Sequence, residues 1–135
     1  MRSRLPRHPR LSRGLRLLWA SPNSVLGLLL GALLLPLGAR GRVVGGVLEI
    51  AAFGRAPQHR WPFAAITLGH VIVGTHRAEL QRLRAHEQVH VRQSERWGPF
   101  FLPAYLLAGG WQWVCGRHPY RDNPFEVQAR QIGGV

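Results

Sequence analysis

The sequence predicts an α+β fold led by an apolar helix, and three stretches carry that prediction. No charge falls between Leu17 and Ala39, and the Leu-dense part of that run ends near Pro36 and Gly38. Two segments rich in Val and Ile follow, 42–54 and 63–74, each punctuated by glycine as strands are. From Thr75 to Trp97 the apolar residues then recur at helical spacing and stop at Gly98-Pro99.

Composition limits what the chain can do. All 18 basic residues are Arg and face 6 acids, for a net charge of +12. Six of those Arg (2, 4, 7, 10, 13 and 16) precede the apolar run, which suits anionic headgroups. No basic-aromatic binding motif accompanies the charge, so nucleic acid is not the expected partner. Cys115 is the single cysteine, so no disulfide forms within the chain and no cysteine-rich zinc site can be built. Any metal must be held by His and carboxylate.

In order, residues 1–16 read as a basic disordered tail, 17–39 as a membrane anchor and 42–135 as the metal-binding domain. The apolar run just reaches the roughly 20 residues that span a bilayer core. A cleaved signal peptide competes, but no A-x-A site follows and Arg40-Gly41-Arg42 comes at once, so a retained anchor is the reading taken. The Arg cluster then keeps the N-terminus cytoplasmic by the positive-inside bias, as a single span in a bacterial inner membrane. Segments 42–54 and 63–74 read as two strands of a hairpin, with Gly45-Gly46 a bulge or bend and 55–62 a loop. Thr75 is the expected cap of the helix that follows, with Glu79 in its first turn. Residues 97–116 form a second charge-free run, aromatic and broken by Pro99, Pro103 and Gly109-Gly110. That composition suits a membrane–water boundary. A polar turn over 117–124 and a short helix over 125–131 complete the chain.

The chemistry centres on His86-Glu87-Gln88-Val89-His90, an H-E-x-x-H pattern. Residues four apart on a helix lie one above the other, so the two His can aim at one ion about 2.0–2.1 Å away. Glu87 sits beside them, where its carboxylate can take a proton from water. On the wheel His86, Glu87, His90, Gln93 and Ser94 share a side with Leu80, Leu83 and Trp97, whereas Arg82, Arg84, Gln88, Arg92, Glu95 and Arg96 lie opposite. A catalytic zinc site normally has a third protein ligand. Glu95 points away and Glu79 lies roughly 10 Å up the helix. Glu49, Asp122 and Glu126 remain, with His70, His76 and His118 as outside choices.

With these residues in view the chain resembles the H-E-x-x-H zinc metallopeptidases in their gluzincin arrangement, where a downstream helix supplies a ligand glutamate, often as E-x-x-A or E-x-x-D. Glu126-Val127-Gln128-Ala129 matches E-x-x-A, 36 residues after His90. The wider pattern is similar to a group of small bacterial membrane proteins without an assigned activity. These carry T-x-G-H, then H-E-x-x-H-x-x-Q, G-P and a terminal N-P-x-E-x-x-A. Here Thr67 to His70, His86 to Gln93, Gly98-Pro99 and Asn123 to Ala129 match, and the likeness covers about 66–130. Val89 departs from the small residue many such peptidases place before the second His.

The resemblance implies a minimal zincin-like fold, with His86, His90 and Glu126 as zinc ligands and Glu87 as general base. Gln93, His118 and Tyr120 are the polar residues expected around ligands or substrate. It also implies a topology. If 98–115 crossed a bilayer, Glu126 could not reach the two His, so that segment must lie at the interface or fold over the site. The expected function is a membrane-anchored zinc metallopeptidase acting on a peptide or protein substrate. A non-catalytic zinc scaffold or an interaction protein on the same fold is the alternative.

Overall fold

The computed structural model describes residues 13–52 and 65–134, and it is mixed α+β. Helix α1 spans Arg13–Leu34 and runs into a 3-10 turn, Leu35–Leu37. Strands β1 (Arg40–Val44), β2 (Val47–Ala51), β3 (Ala65–Leu68) and β4 (Val71–Gly74) follow. Helix α2 covers Arg77–Trp97, a 3-10 turn Gly98–Phe100 leads into α3 (Phe101–Val114), and α4 takes Pro124–Gly133. Of the expected tail over 1–16, residues 1–12 lie outside the described residues, as does the loop over 55–62, whereas 13–16 are not disordered but form the first turn of α1.

Each segment expected to be one strand is instead a tight hairpin. Gly45 and Gly46 both have positive φ, 59° and 78°, which the type I′ two-residue turn requires. Gly69, at φ 62°, opens the second turn. The sheet order is β1-β2-β4-β3, with β2 and β4 parallel at its centre. The expected hairpin between the two segments is therefore replaced by a parallel pairing, which brings both glycine turns to one end of the sheet.

Strand alternation gives the sheet two apolar faces. Leu48, Ile50, Val71, Val73 and Ile66 pack with Leu30 and Leu34 of α1. Val47, Ala51, Ile72 and Ala65 pack with Leu80 and Val91 of α2. The result is α1 on one side, α2 on the other, and α4 laid against α2.

Local chemistry explains the helix boundaries. Pro22, inside α1, has no N–H for the Leu18 carbonyl, and the Ser21 hydroxyl donates to that oxygen at 2.7 Å instead. Thr75 does not cap α2; the N-cap is His76, which makes no capping bond with its side chain. Pro103 falls in the first turn of α3, where the missing N–H has no helical partner to lose. Gly109-Gly110 does not break α3 either, which continues to Val114. One helix among the described residues, α1 with the turn after it, is long and apolar enough to cross a membrane.

Candidate metal centre

Helix α2 presents His86, Glu87, His90, Gln93 and Ser94 as a buried stripe, as the wheel requires. Helix α4 answers with Glu126, and a local device fixes it there. Asn123 caps α4, its side chain accepting from Phe125 N at 3.0 Å, while Pro124 takes the first helical position. The Asn123 amide also donates to the Tyr105 carbonyl at 3.0 Å, which ties α4 to α3. At the far end Gly133 lies so close to α2 that an added Cβ would stand 2.6 Å from the His86 backbone.

Three donors converge. His86 Nε2 lies 3.0 Å from Glu126 Oε2, His90 Nε2 is 3.2 Å from Glu126 Oε1, and the two Nε2 atoms are 3.3 Å apart. All three side chains are buried. Ligands placed tetrahedrally around an ion at about 2.05 Å stand about 3.3 Å from one another. The spacing is compatible with a small ion as well as with the hydrogen bonds seen here, and this buried group could hold a metal. The donor set disfavours calcium and magnesium, which take oxygen.

The supporting bonds orient each ligand. Gln93 donates its amide to Phe125 O at 3.1 Å and to Gln128 Oε1 at 2.7 Å. Its carbonyl is left to accept from His90 Nδ1 at 2.8 Å, which turns Nε2 toward Glu126. The Tyr105 hydroxyl donates to Glu126 Oε1 at 2.6 Å. Thr67, on β3, donates to Glu87 Oε2 at 2.6 Å, holding one oxygen and leaving Oε1 to other partners.

Electrostatics follow from burial and these bonds. Burial opposes ionisation of Glu126, but the hydrogen bonds from His86, His90 and Tyr105 outweigh it and hold the carboxyl well below its usual range. Burial likewise favours a neutral His90, yet the bond and charge of Glu126 prevail and raise its pKa. Glu87 is pushed up, mainly by burial, with the Thr67 hydroxyl and the two His pulling the other way. Tyr120 is pushed up to about 12, first by burial and then by the charge of Glu126.

The remaining candidates are engaged elsewhere. Glu49 is buried in a two-pronged bond with Arg84, at 2.8 and 3.0 Å. Glu79 pairs with Arg82 and Glu95 with His70, each on the arginine side of α2 or at its start. Asp122 accepts from His118 N at 2.7 Å, and His118 Nδ1 accepts from the backbone of Tyr120 and Arg121, so both build the turn before α4. His118 thus stays outside the cluster, Gln93 is inside it, and Tyr120 reaches its rim.

Sequence reasoning missed Tyr105 and the role of Thr67. Tyr105 is the single hydroxyl-bearing residue in a charge-free run, which was a usable signal. Thr67 stood in the T-x-G-H pattern without a stated partner. No protein-family model, no curated protein and no solved structure matches this chain.

Proposed function

We propose that the chain is a zinc-dependent metallopeptidase working at a membrane. The observation that carries this is the convergence of His86, His90 and Glu126 beside a carboxylate, Glu87, that ligates nothing. Zinc, when bound, would polarise a substrate carbonyl and acidify water. The protein's own residues do the rest. Glu87 takes the water's proton and later returns it to the leaving amine. Its raised pKa suits that traffic, because a carboxyl poised closer to neutrality both accepts and donates. Thr67 keeps the carboxylate oriented. Among the described residues strand β3 lies at the sheet edge and carries Thr67, so an extended peptide can add to it by backbone hydrogen bonds close to the base.

One observation favours a second reading. His86, Glu87, His90 and Glu126 are only 3–5% exposed, the closure expected of a zinc-binding scaffold without catalysis. The test is zinc stoichiometry and peptide cleavage on purified protein, beside Glu87→Gln. Cleavage that Glu87→Gln abolishes with zinc retained supports the peptidase. One zinc per chain with no cleavage supports the scaffold, and no zinc removes both.

A further inference from the structure

Helix α1 has two apolar faces, and among the described residues only one is packed against other elements. Ala20, Asn23, Gly27, Gly31 and Leu34 form a buried stripe along the sheet and the turn before α3. An added Cβ at Gly27 would lie 2.6 Å from Val71 Cβ, and the Asn23 amide donates to Gly98 O at 2.8 Å. Near the start of that stripe Ser24 Oγ accepts from His70 N at 3.0 Å. The contacts run nearly the length of the uncharged segment. If α1 crossed a bilayer in this packing, the sheet would be carried to the same depth. The outer edges of β1 and β3, which pair with no further strand among the described residues, would come with it, and so would Arg40 and Arg42 on β1. Hydrocarbon does not accept an open sheet edge, and arginine there is costly.

The opposite face needs a cover too. Leu18, Val25, Leu29 and Leu33 lie directly opposite the buried stripe and are 69%, 52%, 57% and 75% exposed. On α3, Leu106, Leu107, Trp111, Trp113 and Val114 are 64–75% exposed, with no charge from Gly98 to Gly116. The two bare faces adjoin at Trp19 and Phe100, both exposed, whose ring centroids are 6.2 Å apart.

We propose that the protein is monotopic: α1 lies along one leaflet, sheet side toward water, and α3 dips its leucines and tryptophans into the same leaflet. In an ordinary interfacial helix the face turned to water is polar. Here the sheet and α2 cover that face, so α1 has no need of polar residues on it. Arg40 and Arg42, exposed on β1 just past one end of α1, and the arginines at 2, 4, 7 and 10 that precede its other end in the sequence fit an anionic headgroup layer, whereas Arg16 turns to Glu95 on the sheet side. The same arginines set like charges against each other if a second copy docked there, so a bilayer is the occupant.

Cys115, exposed just after α3 and the chain's single cysteine, supplies the test. In bacterial cells expressing the full chain with an N-terminal epitope tag, a membrane-impermeant maleimide should label Cys115 only in inverted vesicles. Protease should remove the tag from the same side only. Tag and Cys115 on opposite faces would make α1 a span and overturn the proposal. As a second arm, Leu29→Glu with Leu107→Glu puts one charge on each bare face. It should move most of the protein from the membrane fraction to the soluble one, with zinc per chain unchanged. A doubly substituted chain that stays in the membrane, or a wild type found soluble as a dimer, would also overturn it.

Discussion

Helices α1 and α2 are nearly equal in length, cover opposite faces of one sheet, and depart from ordinary amphipathic design in opposite directions. A surface helix normally turns apolar residues inward and charged ones outward. Helix α2 keeps its arginines outside but buries two histidines, a glutamate and a glutamine. Helix α1 packs small residues inward and leaves leucines outside. Each exception identifies what the other side of the helix meets. Buried polar groups are held by partners, and for the two histidines, Glu87 and Gln93 the elements α4, α3 and β3 supply them through Glu126, Tyr105, Gln128 and Thr67, while the Ser94 hydroxyl stays unpartnered among the described residues. A bare leucine stripe persists only where something apolar covers it.

The largest expected effect breaks the α2 side of this comparison. His86→Ala or His90→Ala should take bound zinc from one per chain to near none, measured by elemental analysis of purified protein. Glu126→Gln should also lose zinc affinity, because a neutral amide is a poorer ligand than a carboxylate. Glu87→Gln should keep zinc and lose about 10²–10⁴ in cleavage rate, the usual worth of a general base. Full zinc in both histidine variants would remove the site, and full activity in Glu87→Gln would make Glu87 structural.

The placement of these residues on α2 and α4 was legible in the sequence because it is local. The spacing of His86 and His90 and the order Asn123-Pro124-Phe125-Glu126 each lie within a few residues, and helix geometry converts them directly into positions. The sheet was less legible. Gly45-Gly46 and Gly69-His70 were absorbed into long strands, although two-residue glycine turns favour hairpins. The parallel pairing of β2 with β4 joins segments some 20 residues apart, which no local pattern encodes. The apolar run read as an anchor, and α1 is long and apolar enough to cross a membrane, but hydropathy does not encode which of its residues pack on the sheet. Tyr105 shares its stretch with Phe and Trp, and composition alone could not separate its hydroxyl from their packing.

The candidate metal centre also predicts opposite responses to pH with and without metal. Without metal, the depressed Glu126 contributes stability above its unfolded value near 4.5 that is lost as pH falls through its lower folded value. The raised His90 contributes stability that is full below about 6.5 and is lost as pH rises through its higher folded value. Chelator-treated protein should therefore melt at lower temperature as pH climbs above 6.5, while zinc-loaded protein gains. Zinc requires His90 Nε2 to shed its proton, so binding should release protons, and fewer as pH rises. Thermal melts with chelator and with zinc between pH 5 and 8 check this; parallel curves would detach the ionised cluster from the metal.

The smallest effect tests the packing that brings the chain back from α3 to α4, on two adjacent glycines. Gly109 and Gly110 both lie inside α3, and in helix propensity alone alanine gains at each by up to about 1 kcal/mol. Their surroundings differ. A Cβ at Gly109 would stand 2.9 Å from the Pro119 carbonyl oxygen and 3.4 Å from Asn123 Nδ2, whereas at Gly110 nothing lies within 4 Å. The first contact is with backbone, which cannot swing aside as a side-chain tip can. It would push the 115–123 turn off α3 and strain the Asn123–Tyr105 bond that positions Glu126. Gly109→Ala should therefore destabilise by roughly 1–3 kcal/mol, the usual cost of overpacking, and weaken zinc binding with it. Gly110→Ala should raise the melting temperature slightly and leave zinc unchanged. Equal shifts at the two positions would mean that α3 does not rest on this turn, and Glu126 would then owe its place to α2 alone.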